Sequence, residues 1–412
     1  MARKLVVCCD GTWNTPRTDT NIFQTYTFLR DHLKTPSEAG DPKEGVTTCS
    51  GVAHDGSEVR LFYDRGVGTN WFTRLAGGGV GAGLSENVRD AYRFLAEHYT
   101  PGSEIYIFGF SRGAYTARSL CGFIKAAGLL ERPSRPDVAR AYVDCYVTAQ
   151  HVLASPGGWN IDRVRGWLVE QAGDAVGRVG RDVAGLPRHS GVKIRFVGVY
   201  DTVGALGVPL THAAHINEPI VGFHDTNFGD LIEHAVHALA VDEKRGPYVP
   251  TLWTMPAGAS LPAGQSVLQV WFPGVHSDVG GGYRNKGIGH ITWDFMMRQA
   301  ARRGLVIDPN EPTPTLTLEP LPAQHDSFND HWRRLSAELK IVPEGVRAIG
   351  PTMKGPDGQP LKVAGEVRLH PAVVNRLGQS CTTILDESSD RRSTGAYAPT
   401  NLTASTLPIF AN

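Results

Sequence analysis

The sequence predicts an α/β protein with a mostly parallel central sheet and helices on both faces. Three observations support this fold class. The first is that several short apolar runs lack the polar alternation of half-exposed strands. The second is that helical patterns lie between these runs, since parallel strands need crossover connections, which are usually helices. The third is a glycine-flanked serine between one such run and one such helix. The predicted strands cover residues 4–9, 59–63, 104–110, 193–200 and 266–272.

Three segments between these strands have the spacing of amphipathic helices. Asn21 fits the N-cap of a helix over residues 22–33, because its side chain can accept hydrogen bonds from the first turn. A second helix is predicted over residues 84–95, where apolar side chains recur every three or four positions. A third, over residues 112–126, follows the serine. The repeated β-α order therefore favours a sheet covered on both faces.

The uneven spacing of the strands predicts insertions in one large domain, residues 1–412. Residues 127–190 and 204–262 are the candidate cap segments, and we expect them over the carboxyl edge of the sheet, where such folds bind ligands. The second of them contains an amphipathic stretch near residues 231–239. Prolines become frequent after residue 304, so residues 305–412 are predicted to form an irregular excursion.

Charge and hydropathy exclude several classes of protein. The chain has 41 basic and 41 acidic residues, so its formal net charge of zero gives no reason to expect nucleic acid as a partner. No apolar run reaches the roughly 18 residues of a transmembrane helix. We therefore expect no membrane span and leave peripheral membrane contact open.

Cysteine usage and the amino terminus bear on localisation. The short apolar run near the start is too brief for the core of a signal peptide. The six cysteines have no C-x-x-C spacing, which predicts neither a disulfide framework nor a zinc site. We expect a cytoplasmic protein, and export by a system that needs no signal peptide is compatible with the same features.

The most informative motif is GFSRG at residues 109–113, which fits G-x-S-x-G. A predicted strand precedes it and a predicted helix follows it, which is the context of a nucleophile elbow. Glycines on both sides allow a tight, strained turn that exposes the serine hydroxyl. We therefore predict that Ser111 is a nucleophile.

A serine hydroxyl needs a base and usually a carboxylate, and in α/β-hydrolases these follow the serine in chain order. His276 follows the strand 266–272 and precedes a run of glycines, so it is the predicted base. Asp201 follows the strand 193–200 and is the preferred acid. Asp242 is the alternative acid, expected near a helix end, and Asp278 is a weaker candidate because it lies only two residues from the histidine.

Stabilising an oxyanion requires two N–H donors. One is predicted to be the backbone amide of Arg112, directly after the serine. The second is expected from the loop after the first strand, at Gly11 or Thr12, and a simple strand-to-helix turn is an equally good interpretation of that loop.

Four blocks occur in order along the chain: CDGTWN at 9–14, GFSRGA at 109–114, GVYDTVG at 198–204 and WFPGVHSDVGGGY at 271–283. HALAVDE at 237–243, HP at 370–371 and YAP at 397–399 accompany them. Together they resemble the α/β-hydrolase domain of the first-class type VI secretion lipase effectors. The resemblance implies an α/β-hydrolase fold and a phospholipase-like activity with a Ser-Asp-His triad at Ser111, Asp201 and His276.

The expected function is hydrolysis of carboxylic esters through an acyl-enzyme, with a lipid as the favoured substrate and no metal or organic cofactor. An esterase or amidase that acts on a soluble metabolite or polymer is the first alternative. A catalytically inactive hydrolase-like binding module is the second, and the intact serine, histidine and aspartate argue against it.

Overall fold

The structure, a computed structural model, describes residues 3–11, 19–41, 45–66, 80–147, 183–203, 231–246, 248–255, 259–328, 332, 344–345, 347–350, 352–354, 360–402 and 407–410. Residues 148–182 and 204–230 of the two candidate cap segments lie outside these residues. Thr12 lies outside them as well.

A large, mostly parallel sheet forms the centre of the described chain. Its nine strands run in the order β15-β11-β9-β8-β5-β1-β4-β3-β2. Every pair from β15 to β4 is parallel, whereas β2 and β3 are antiparallel at one edge. The strands of this sheet are β1 (Arg3–Cys9), β2 (Lys34–Ala39), β3 (Val46–Val52), β4 (Glu58–Asp64), β5 (Glu104–Phe110), β8 (Ile194–Tyr200), β9 (His234–Ala240), β11 (Ser266–Phe272) and β15 (Glu366–Leu369).

Smaller sheets and the helices surround it. The short strands are β6 (Leu129–Leu130), β7 (Arg188–His189), β10 (Thr254–Met255), β12 (Gln324–His325), β13 (Thr352–Lys354), β14 (Pro360–Val363), β16 (Ser380–Asp386) and β17 (Arg391–Ala396). The helices are α1 (Asn21–Asp31), α2 (Val80–His98), α3 (Arg112–Ala127), α4 (Arg135–Ala141), α5 (His276–Val279), α6 (Gly287–Ala301) and α7 (Pro371–Arg376). A π-helical turn (Tyr142–Val147) follows α4, and a 3₁₀ turn (Val183–Gly185) precedes β7.

Both faces of the sheet are buried under helices, as the uninterrupted apolar runs predict. In β1, Leu5 and Val7 belong to the hydrophobic cluster that contains residues of α2 and α3. Val6 and Cys8 belong to a second cluster, with residues of α1 and α6. Because successive side chains of a strand point to opposite faces, a strand between two helical layers needs apolar residues at every position. The coarse fold class predicted from the sequence is thus confirmed.

The five predicted strands correspond to β1, β4, β5, β8 and β11, with ends that differ by one residue at most. The predicted helices correspond to α1, α2 and α3. One detail is wrong: Thr20, not Asn21, caps α1, because its hydroxyl accepts the N–H of Phe23. Asn21 instead donates its side-chain amide to the carbonyl oxygens of Val279 and Gly289.

Two larger expectations are also wrong. The amphipathic stretch near 231–239 is not helical, because residues 234–240 form β9 and pair with strands on both sides. Asp242 therefore follows a strand, not a helix. The chain after residue 304 is not simply irregular: it forms one small sheet with β10 and a second of β12, β16 and β17, and it supplies β15 to the main sheet, parallel to β11. In both segments, pairing with strands that are distant in sequence determines the secondary structure. The local sequence pattern does not reveal such pairing.

Candidate active site

Ser111 lies at the sharp turn between β5 and α3. Its backbone has φ 57° and ψ −121°, a strained conformation for a residue with a side chain. Its N–H donates to the carbonyl oxygen of Tyr200, at the end of neighbouring β8, over 3.1 Å. A Cβ at Gly113 would overlap the carbonyl oxygen of Cys9, so only glycine lets α3 begin so close to β1. This geometry matches the tight turn that the sequence predicts.

His276 brings the serine and an aspartate together. Its Nε2 lies 2.8 Å from Ser111 Oγ, and its Nδ1 lies 2.6 Å from Asp201 Oδ2. The three residues follow β5, β8 and β11 directly or within a few positions, at the same carboxyl edge of the sheet. All three are buried, and Ser111 is 7% exposed. The structure thus places the three residues that the sequence singles out within hydrogen-bonding distance of one another.

The Asp201 carboxylate is held from several sides. Its Oδ1 accepts the N–H of Ala240, at the end of β9, over 3.0 Å. The guanidinium of Arg347 spans both oxygens, with Nη1 2.6 Å from Oδ1 and Nη2 2.9 Å from Oδ2. Burial alone would raise the pKa of Asp201, but the charge of Arg347 and the hydrogen bond from His276 hold that pKa well below its usual range. The carboxylate is therefore ionised at neutral pH.

A second buried ion pair stands beside the histidine. Glu243 Oε2 accepts the backbone N–H of His276 over 3.1 Å, and both of its oxygens bind the guanidinium of Arg245. Burial lowers the pKa of His276, against the opposing hydrogen bond and charge of Asp201. The charge of Arg245 lowers it further, whereas Glu243 raises it. The imidazole is therefore neutral at pH 7, which is the form that can accept a proton.

The two other candidate acids lie elsewhere. Asp242 Oδ2 accepts the N–H of Gly274 over 2.6 Å and the hydroxyl of Tyr397 over 2.9 Å. Asp278 accepts the N–H of Val275 and faces His325 Nδ1 at 2.5 Å. Each carboxylate thus shapes the loop around the histidine and is bonded to groups other than the imidazole of His276.

The predicted oxyanion donors are only partly described. Arg112 is the first residue of α3, and the first N–H groups of a helix have no carbonyl acceptor within that helix. Gly11 lies against the serine, because a Cβ added to it would be 3.3 Å from Ser111 Cβ. Its N–H, however, donates to Asp10 Oδ1 over 2.6 Å. Thr12, the other candidate in this loop, lies outside the described residues.

Sequence reasoning missed the residues that surround these three. Arg347, Glu243 and Arg245 have no motif of their own, although Glu243 falls in the HALAVDE block. Arg347 bonds to Asp201 across 146 positions of the chain, so only the tertiary structure reveals the contact. A buried carboxylate without a counter-charge is costly, and that cost is the one signal that calls for a nearby cation.

Neither a metal centre nor a membrane span is found in the part of the chain that the structure describes. Within it, no three histidine, cysteine, aspartate or glutamate side chains are grouped so that they could hold a metal ion. No helix there is long and apolar enough to cross a bilayer.

The fold and site define an α/β protein with a serine, a histidine and an aspartate in hydrogen-bonding sequence at the carboxyl edge of a mostly parallel sheet. A family model described as "T6SS, Phospholipase effector Tle1-like, catalytic domain" matches residues 3–299. The chain belongs to this family of Tle1-like phospholipase effector domains. The resemblance drawn from the sequence blocks is confirmed.

Individual relatives are more distant. An uncharacterized protein of Saccharomyces cerevisiae is 27% identical over 266 residues, which cover 61% of this chain and 34% of the yeast protein. A crystal structure of an uncharacterized Pseudomonas aeruginosa protein covers 74% of this chain and 46% of its own, at 18% identity and a TM-score of 0.34. The Tle1 effector bound to the VgrG spike covers 70% and 52%, at 16% identity and a TM-score of 0.31. The chain spans about a third to a half of these relatives.

Proposed function

We propose that the protein is a serine hydrolase of α/β-hydrolase fold that cleaves carboxylic esters of phospholipids. The observation that carries this proposal is the chain of contacts from Ser111 Oγ through His276 to Asp201, at 2.8 Å and 2.6 Å. Membership of a phospholipase effector family supports the ester chemistry and the lipid substrate.

In this mechanism His276 Nε2 removes the hydroxyl proton as Ser111 Oγ attacks the ester carbonyl carbon. Asp201 keeps the Nδ1 proton in place and stabilises the imidazolium. The backbone amide of Arg112, with that of Gly11 or Thr12, would stabilise the oxyanion. The tetrahedral intermediate collapses when its bond to the leaving alkoxide breaks, and His276 gives that alkoxide the proton. Water, activated by His276, then cleaves the acyl-enzyme to release the fatty acid and restore the serine.

A positive charge on the residue that follows the serine supports an anionic lipid rather than a neutral ester. Burial lowers the pKa of Arg112, directly after the serine, to about 10, so its guanidinium remains charged at neutral pH. The guanidinium carbon of Arg245 lies 3.6 Å from the ring centre of Tyr248, but Glu243 already neutralises this second cation. A phosphodiester headgroup next to the scissile ester would complement the charge of Arg112.

The nucleophile is tested with a fluorophosphonate probe, which reacts with activated serines. We expect the wild-type protein to be labelled and Ser111→Ala to remain unlabelled. Ser119→Ala is a matched control, because Ser119 is also buried and lies two turns further along α3. Labelling that persists in Ser111→Ala would refute the proposed nucleophile.

The substrate is tested with phosphatidylglycerol, phosphatidylcholine and diacylglycerol of identical acyl chains, beside short soluble esters. We expect Ser111-dependent release of fatty acid from the phospholipids at a kcat/KM at least tenfold above that on diacylglycerol, about 1.4 kcal/mol of discrimination. Preference for the short soluble esters would support the soluble-substrate alternative. Absence of turnover on every ester would support the binding module.

A further inference from the structure

Arg347 stands out because it binds the proposed triad acid and yet comes from outside the residues that the family model matches. The match ends at residue 299. Arg347 is 5% exposed, and its Nη1 and Nη2 also donate to the carbonyl oxygens of Ala240 and Tyr248, over 2.8 Å and 2.6 Å. Four hydrogen bonds therefore fix one guanidinium against Asp201 and against the chain that follows β9.

We propose that Arg347 is a positioning residue that holds the Asp201 carboxylate toward His276 and neutralises its charge, so that the imidazole stays unprotonated and able to act as a base. This inference rests on the proposed function. It adds that the chain beyond residue 299 completes the catalytic machinery.

The buried charges around His276 compensate one another in pairs. Asp201 with Arg347 and Glu243 with Arg245 are two compensated pairs, and the neutral His276 lies between them. Removing the charge of Arg347 would leave one uncompensated carboxylate in contact with the imidazole. Burial makes such a net charge costly, and a proton on His276 would cancel it. Without Arg347, the histidine would therefore hold a proton to a higher pH.

The charged and titratable groups that face His276 act in known directions. Asp201 and Glu243 favour its protonated form, and Arg245 opposes it. Tyr248 meets the ring edge-on. Arg347 contacts the Asp201 carboxylate and the Tyr248 carbonyl oxygen, and its charge also lowers the pKa of Glu243. A change in the pH profile would therefore report the loss of this cation together with its contacts.

The first test compares Arg347→Met and Arg347→Lys by the pH dependence of kcat/KM on a soluble ester. In Arg347→Met we expect the acid limb to move to higher pH by about one unit and the plateau to fall about 10- to 100-fold. Arg347→Lys keeps the charge but cannot span both oxygens, so we expect an unchanged acid limb and a lowered plateau. An unmoved limb in Arg347→Met, or an equal shift in both variants, would overturn the proposal.

Arg376→Met is the matched control. Arg376 is fully buried in the same part of the chain and donates to Pro322 and Gln324, with no contact to the three site residues. Its loss should lower the melting temperature and leave the acid limb unmoved. A shift equal to that of Arg347→Met would show a general effect of removing a buried arginine and would refute the specific role.

A second test does not depend on activity. Asp201→Asn leaves the Arg347 charge buried without its partner, so adding Arg347→Met should raise the melting temperature above that of Asp201→Asn alone. A lower melting temperature in the double variant would overturn the charge-pair argument even if Arg347→Met alone fails to fold. Failure of the proposed function would be recognised separately, by a wild-type protein that the fluorophosphonate probe does not label.

Discussion

The chain up to residue 299 and the chain beyond it contribute to the site in different ways. The first part supplies the strand ends that carry Ser111, Asp201 and His276. The second part supplies polar side chains that touch this framework from outside, with Arg347 on Asp201 and Ser327 Oγ on Glu243 at 2.8 Å. The proposed reacting groups thus come from the parallel sheet, whereas part of their electrostatic environment comes from the later segments.

This difference separates the groups proposed to transfer protons from the charges that adjust their pKa values. Groups that transfer protons must sit at fixed positions, and the ends of buried parallel strands are the most rigid places available. Charges that adjust a pKa need only lie close by, so a later segment with short strands can provide them. Substitutions of the three proposed reacting groups in the first part should therefore abolish turnover. Substitutions of the charged side chains in the second part should change its pH dependence or the stability of the fold.

The largest expected effect within this comparison comes from Asp201→Asn. An amide cannot hold the Nδ1 proton of His276 as the carboxylate does, so we expect kcat to fall about 10³- to 10⁴-fold. Ester hydrolysis followed beside Ser111→Ala measures the loss. A kcat of Asp201→Asn within about tenfold of wild type would mean that Asp201 is not the triad acid. The proposed division between reacting groups in the first part and charges in the second would then fail.

The sequence reveals the first part far better than the second, for physical reasons. After their polar first residues, β5 and β11 are apolar at every position but Gln269, because both faces of the sheet are covered. Such runs are legible in one sequence. β9 is harder to recognise, since its two histidines and three alanines dilute the apolar signal. The buried ring of His237 accepts the N–H of Thr202. The exposed edge strand β2 has no apolar pattern at all.

The site shows the same contrast. Ser111 and His276 are found from the turn and loop chemistry around them. Asp201 is favoured over Asp242 because it ends a predicted strand. Arg347 and His325 are recognised by contacts that span long stretches of chain, 146 and 47 positions, for which composition and periodicity give no signal.

An intermediate effect, on stability rather than on turnover, is expected from His325→Gln. His325 lies between two carboxylates, with Nδ1 2.5 Å from Asp278 and Nε2 3.1 Å from Glu387, and its ring stacks on Tyr283. Burial would lower its pKa, but the hydrogen bond and charge of Asp278, aided by Glu387, raise that pKa above 6.5. The histidine therefore ties the later chain to the loop that carries His276.

The sign of the pH dependence follows from the raised pKa. Its contribution to stability is complete below the unfolded value near 6.5 and is lost as pH rises through the folded value. We expect His325→Gln to lower the free energy of unfolding at pH 6 by about 1.5–3 kcal/mol, with a deficit that shrinks toward pH 9. Denaturant unfolding at a series of pH values measures it.

His370→Gln is the control for this series. Burial lowers the pKa of His370 to about 4, so the histidine is neutral from pH 6 to 9 and the effect of its replacement should be constant there. A constant deficit for His325→Gln as well would contradict the charged bridge between the two parts.

The smallest effect is expected from Asp242→Asn. Asp242 lies at a contact between the two parts of the chain that includes none of the three proposed reacting groups. Tyr397 and the Gly274 amide both donate to Asp242, and an asparagine oxygen can accept the same two hydrogen bonds. We expect kcat within about threefold of wild type, because the substitution moves no atom that touches His276.

Burial raises the pKa of Asp242 to about 6, so its contribution to stability is present at low pH and lost as pH rises through that value. The asparagine variant should therefore gain stability relative to wild type between pH 4 and pH 7, measured by thermal unfolding. If Asp242→Asn instead lowers kcat as far as Asp201→Asn does, Asp242 is the acid, and the contact between the two parts lies inside the catalytic machinery.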